Sequence, residues 1–121
     1  MIKSKKLTRF KEIEHSFFNR LGGKSTGIYK SLNCGLSSSD DKKNILKNLA
    51  LIGKKIKSGL NKIVLLNQIH SNKFYYIKKI SKLNPKKFIG DALITNKSNT
   101  PIAVLTADCA PILIFDKKNK T

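Results

Sequence analysis

The stretch Ile102-Ala103-Val104-Leu105-Thr106-Ala107-Asp108-Cys109-Ala110-Pro111-Ile112-Leu113-Ile114-Phe115 sets two continuously apolar runs on either side of a short polar turn. Such runs fit strands buried on both faces, because they are too short for a useful helix and lack the alternation of a half-buried strand. Working outward, Ile63-Val64-Leu65-Leu66, residues 74–77 and Asp91-Ala92-Leu93-Ile94-Thr95 are runs of the same β-prone kind, divided by Asn, Gly, Pro and Lys. Further upstream the period changes. From Ser39 or Asp40 as N-cap, Ile45, Leu49, Ile52 and Ile56 recur at helical spacing, and Gly59 offers a stop. The expected architecture is α+β: a mixed sheet of about five strands with one helix packed on it, in a single domain over residues 1–121.

At the two ends the pattern is less regular. His15-Ser16-Phe17-Phe18 reads as a short strand leading into a glycine- and serine-rich loop that runs to Gly35. Asp116-Lys117-Lys118-Asn119-Lys120-Thr121 reads as a hairpin turn after the last apolar run, with no returning strand behind it. That orphan turn leaves two expectations, a domain truncated at its C-terminus or a frayed natural tail.

A chain of 121 residues with 40% hydrophobic and 26% charged content is an ordinary globular balance. Its net charge of +18 is not ordinary; it comes from 25 Lys and Arg against 7 Asp and Glu, and only Arg9 and Arg20 are arginines. A field of that size attracts polyanions by counterion release, so weak, salt-sensitive binding of nucleic acid without sequence preference is expected. Function does not follow from it. Sequence-specific readers favour the bidentate arginine fork that is scarce here, and the one aromatic cluster among lysines, Phe74-Tyr75-Tyr76, is read as strand core in preference to a stacking platform. No continuous apolar segment marks a secretory leader before Glu12 and Glu14, and residues 101–115, interrupted by Asp108, are too short to span a bilayer. A cytoplasmic protein without membrane association is expected, with Cys34 and Cys109 as free thiols.

Several familiar chemistries are excluded by spacing. Gly23-Lys24-Ser25 ends like a phosphate-binding P-loop, but Phe18 stands where that loop needs its first glycine. There is no paired-cysteine zinc motif, no zincin helix motif and no glycine-flanked serine nucleophile. What remains is His70, where one strand runs out, and Cys109, between two others, together with carboxylates at strand ends; sites tend to be assembled at such places. On position alone, His70 reads as a surface or satisfied imidazole and Cys109 as a small buried hydrophobe in preference to ligands.

In order along the chain stand residues 15–25, Ser31-Leu32-Asn33-Cys34-Gly35, Asn67-Gln68-Ile69-His70-Ser71, Gly90-Asp91-Ala92-Leu93-Ile94-Thr95 and Thr106-Ala107-Asp108-Cys109-Ala110-Pro111. This ordered series resembles the N-terminal part of the laccase-domain family, also called polyphenol oxidase-like or multicopper polyphenol oxidase proteins. The resemblance implies an incomplete laccase-domain fold and a metal, zinc with copper as an alternative, held by His70, Cys109 and a further histidine in a motif that lies beyond Thr121. It implies phosphorolysis of adenosine, inosine, guanosine and methylthioadenosine, with adenosine deamination, so purine nucleosides and phosphate are the expected partners. Two imidazoles and a thiolate would leave a fourth zinc position open for water. Laccase chemistry itself is discounted, since a multicopper centre needs many imidazoles and the chain has only His15 and His70.

Other residues follow from the same motifs. Arg20 is a candidate for binding phosphate, and Asn33 for the substrate site or for shaping its loop. Asp91 and Asp108 are candidates for orienting an imidazole or for acid and base work, with turn capping as the alternative for each. Cys34 matches no ligand position and is expected to be structural. The competing expectations are a basic nucleic-acid-binding module and an inactive truncated chain.

Overall fold

The computed structural model describes residues 1–58, 63–78 and 88–121, which fall into two compact units, Met1–Leu60 and Asn61–Thr121. Their principal elements are a helix α1 (Lys42–Lys55) in the first, and strands β1 (Phe74–Tyr76) and β2 (Ala92–Ile94) in the second.

In the first unit, α1 buries Ile45, Asn48, Leu49 and Gly53, with Ile52 and Ile56 half-buried on the same side. The apolar period therefore predicts the buried face, but it misses Asn48. The N-cap is Asp41, whose side chain accepts from the Lys43 N–H at 2.8 Å. Asp40, expected for that task, is used elsewhere: it accepts from the Asn33 amide at 3.0 Å, and the Ser25 hydroxyl and that amide hold its carboxyl below the usual range despite some desolvation. The expected stop at Gly59 lies outside the described residues; the last helical N–H bond is from Ile56 to Ile52. Phe17 pairs with Ile2 in an isolated antiparallel bridge, so the short strand expected at 15–18 is reduced to one contact.

Asn48 organises the glycine-rich loop. Fully buried, it accepts from the Lys24 N–H at 2.6 Å and donates to the Ser25 hydroxyl at 2.8 Å and to the carbonyls of Asn33 and Ser31 at 2.7 and 3.1 Å. Next to it the Arg20 carbonyl accepts from the N–H groups of Ser31 and Leu32 and from the Ser31 hydroxyl. The strands of this loop approach so closely that a Cβ on Gly23 would lie 2.0 Å from the Ser31 carbonyl oxygen, which only glycine avoids.

The second unit has its core in Val64, Leu65, Leu66 and Ile77. Burial of three successive residues, 64–66, is what a strand covered on both faces requires. β1 and β2 pair in parallel, Phe74 opposite Ala92 and Tyr76 opposite Ile94. Two further parallel bridges join Asn67 to Ile89 and Val64 to Ile102.

The expected five-strand mixed sheet is thus corrected. Among the described residues two of the five runs form a ladder, and that ladder is parallel. Residues 63–66 and 102–105 meet in a single bridge, because the Leu105 N–H is taken by the Gln68 side chain at 2.8 Å and not by a neighbouring backbone carbonyl. Residues 112–115 form no ladder among the described residues, and Ile112 and Ile114 are 76% and 83% exposed. The turn expected at 116–121 is present: Asp116 and Thr121 exchange backbone bonds, and the Asp116 carboxylate accepts from the N–H groups of Lys118 and Asn119. No helix among the described residues is long and apolar enough to cross a membrane.

Candidate functional site

Between the Asn67–Ile89 bridge and the Phe74–Ala92 pair, one strand advances seven residues while its partner advances three. The surplus is thrown out as a loop that carries His70. Its neighbour, Gly90, lies against the base of this loop, where a Cβ would come within 2.8 Å of the Lys73 carbonyl oxygen.

The Asp91 carboxylate fills the loop from within. One oxygen accepts from the N–H groups of Ile69 and His70 at 3.2 and 3.0 Å; the other accepts from the Ser71 N–H and hydroxyl at 2.6 and 2.8 Å. Desolvation raises the Asp91 pKa, but the bonds from Ser71, His70 and Ile69 outweigh it and hold the carboxyl below its usual value. Within this frame His70 adopts φ 57°, a left-handed conformation uncommon for a side chain larger than glycine, and its imidazole is exposed.

Gln68, two residues before His70, reaches the Leu105 N–H and so ties this loop to the strand end that leads into Thr106-Ala107-Asp108-Cys109. Asp108 and Cys109 are both exposed. Among the described residues no group of three or more His, Cys, Asp or Glu side chains comes together. His70 and Cys109 therefore stand as two exposed donors of borderline-soft type, imidazole and thiol, which suit zinc or copper in kind but not in number.

The remaining candidates lie in the first unit. Arg20 is exposed, on a backbone fixed through its own carbonyl. Asn33 is committed internally: its amide donates to Ser38 and Asp40, and its carbonyl oxygen accepts from the Gly35 N–H. It shapes the turn before α1. His15 accepts the Ser4 N–H on Nε2 at 2.8 Å, which engages that nitrogen structurally. Burial pushes the Cys34 thiol up to about 11, and its Sγ lies 3.6 Å from the Leu32 carbonyl. Iodoacetamide should therefore label exposed Cys109 in the folded chain and reach Cys34 only on unfolding, as peptide mass mapping would show.

Sequence reasoning quoted two contributors without showing what they do. Asp91 was legible as a motif residue but not as a backbone clamp, since no pattern in one dimension shows which N–H groups a carboxylate will meet. Gln68 could have been found only through its place in the motif with His70.

A family model described as multi-copper polyphenol oxidoreductase laccase matches residues 14–121. The chain belongs to this family. Among curated relatives, a purine nucleoside phosphorylase of Bacteroides thetaiotaomicron is 30% identical over 125 residues, covering 98% of this chain and 46% of that protein. One from Corynebacterium glutamicum is 32% identical over 108 residues, covering 89% and 44%. The crystal structure of YlmD from Geobacillus stearothermophilus superposes with a TM-score of 0.68 at 26% identity, over 74% of this chain and 36% of that one. YfiH from Bacillus licheniformis, at 23% identity and a TM-score of 0.65, shows the same fold. The chain spans less than half the length of these curated relatives.

Proposed function

We propose that this chain contributes His70 and Cys109 to the metal site of a purine nucleoside phosphorylase, and that the site needs at least one more donor from outside the described residues. The observation that carries this is that His70 and Cys109 are exposed N and S donors on segments tied by the Gln68 to Leu105 bond, while no group of three or more His, Cys, Asp or Glu that could hold a metal forms among the described residues. The similarity to relatives named purine nucleoside phosphorylase supports the substrate class, a purine nucleoside with inorganic phosphate.

Zinc or copper bound there would supply Lewis acidity and lower the pKa of a coordinated water. The residues of the chain do the rest. In phosphorolysis a phosphate oxygen bonds to the anomeric carbon, the glycosidic C–N bond breaks with its electron pair going to the base, and the base nitrogen takes a proton. Arg20 is the group we assign to phosphate, because its guanidinium can bind two oxygens at once. Asp108 is assigned the proton transfer. Asn33 fixes the turn that follows the Arg20 loop, through bonds to Ser38, Asp40 and Gly35. Adenosine deamination, in which water replaces the exocyclic amine and ammonia leaves, would draw on the same residues.

The test is phosphate-dependent release of base from inosine and adenosine, with this chain alone and with the chain joined to the second half of the Bacteroides relative. Turnover is expected only from the joined protein. Equal rates from both would make a third donor dispensable and overturn the metal reading; a joined protein that retains metal but releases no base would overturn the substrate class.

A further inference from the structure

The geometry of the His70 loop assigns Asp91 a positioning role: we propose that its carboxylate, by accepting the three successive N–H groups of Ile69, His70 and Ser71, fixes the direction in which the His70 imidazole is offered to a ligand. The inference rests on the reading of His70 as a donor, and it concerns a residue that does not itself touch the ligand.

Three features make the clamp specific. The first is register: the loop is a surplus of chain between two bridged positions, so nothing in the ladder itself dictates its shape. Left to the backbone alone, residues 69–72 would sample many conformations, and ordering them would oppose binding. The second is stoichiometry. One carboxylate takes three consecutive backbone donors and the Ser71 hydroxyl, and the Ser71 oxygen in turn accepts from the Lys73 N–H at 3.2 Å, so the chain is held on both sides of His70. The third is conformation: three N–H groups converge on one anion only when the backbone bends sharply, and His70 supplies that bend with its positive φ.

Asp91 is also fixed from behind. Its own N–H donates to the Lys73 carbonyl at 2.9 Å, and the following residue, Ala92, is the first of β2. The orientation of His70 is thus referred to the parallel ladder, and through Gln68 to the strand end before Cys109. A two-donor pair of exposed side chains gains affinity chiefly from such fixing, because a preset geometry removes the ordering cost at binding.

The experiment uses the full chain and Co2+ alone as the probe. Backbone amide exchange and Co2+ titration are followed by NMR for wild type, Asp91→Asn, Ser71→Ala and His70→Ala. Asp91→Asn keeps the shape but turns an acceptor into a donor facing the Ser71 N–H. Exchange at His70 and Ser71 should quicken by about ten- to a hundredfold. Co2+ affinity should fall by about ten- to a hundredfold in the same variant. The Ile77 N–H, bonded to the Ile94 carbonyl in the neighbouring ladder, should not change and reports on the fold. Should it quicken too, Ser71→Ala carries the comparison, with about two- to tenfold faster exchange confined to the loop. Unchanged loop amides in both variants would overturn the proposal, as would loosened amides with undiminished Co2+ affinity. His70→Ala tests the underlying reading separately: if it binds Co2+ as well as wild type, His70 is no donor, and the amide rates alone then decide the clamp.

Discussion

Replacing Asn48 by alanine is expected to destabilise the first unit by about 2–4 kcal/mol, a large loss for a single polar substitution. The reason is the number of groups left behind. The Lys24 N–H and the Asn33 carbonyl lose the partner that the fully buried Asn48 gives them, while the Ser25 hydroxyl keeps Asp40 and the Ser31 carbonyl keeps the Ser25 N–H but each loses a second bond. Each unsatisfied buried group costs about 1–3 kcal/mol, and partial relaxation of the loop recovers some of the total. Asn48→Asp is the informative companion, because it retains the acceptor for Lys24 and removes the donors for the other three. Urea unfolding followed by circular dichroism measures both. A loss below about 1 kcal/mol in Asn48→Ala would mean that the loop finds other partners, and that α1 is not what holds residues 20–33 in place.

Loss of either donor is expected to remove metal from the joined, longer protein altogether. In His70→Ala and Cys109→Ala, metal content after dialysis against a weak chelator should fall from one equivalent to near zero, and base release should fall with it. A tetrahedral site that loses one of three protein ligands loses both its geometry and most of its affinity. Cys34→Ala is the control: its thiol is buried and held protonated by that burial, so metal content should not change. Elemental analysis of the purified variants decides the matter, and full occupancy in His70→Ala would remove that residue from the site.

How much of this was written in the sequence depends on which kind of interaction set each feature. The helix was legible because Ile45, Leu49, Ile52 and Ile56 repeat at a period that only one face of a helix satisfies. Its start, expected at Ser39 or Asp40, was misplaced by one or two residues, since these and Asp41 are all good caps in isolation and only the third-dimensional neighbours Ser25 and Asn33 draw Asp40 away. Asn48 was invisible for the opposite reason: a polar residue in a helix reads as solvent-facing until its partners, far off in sequence, are known. Among the strands, 74–76 and 92–94 followed from their composition, whereas the weak pairing of 102–105 turned on a side chain, Gln68, intercepting a ladder bond. Of the site, the ordered motifs marked His70, Asp91 and Cys109. They did not reveal that Asp91 serves the backbone, or that no group of three or more His, Cys, Asp or Glu that could hold a metal forms among the described residues.

The surplus of chain that bears His70 has a consequence for how such a protein can change. Both flanks of the loop are locked to the same partner strand, at Asn67 with Ile89 and at Phe74 with Ala92, so residues can be inserted or removed between the two anchor points without sliding either strand against its neighbour. Loop length and strand alignment are mechanically independent there. The short side has no such latitude: Gly90 and Asp91 occupy the whole interval between Ile89 and Ala92, and one residue gained or lost would turn every side chain of β2 to the opposite face. A longer arm or a grafted segment on that side would leave the strand alignment intact but would give up the Asp91 contacts to residues 69–71.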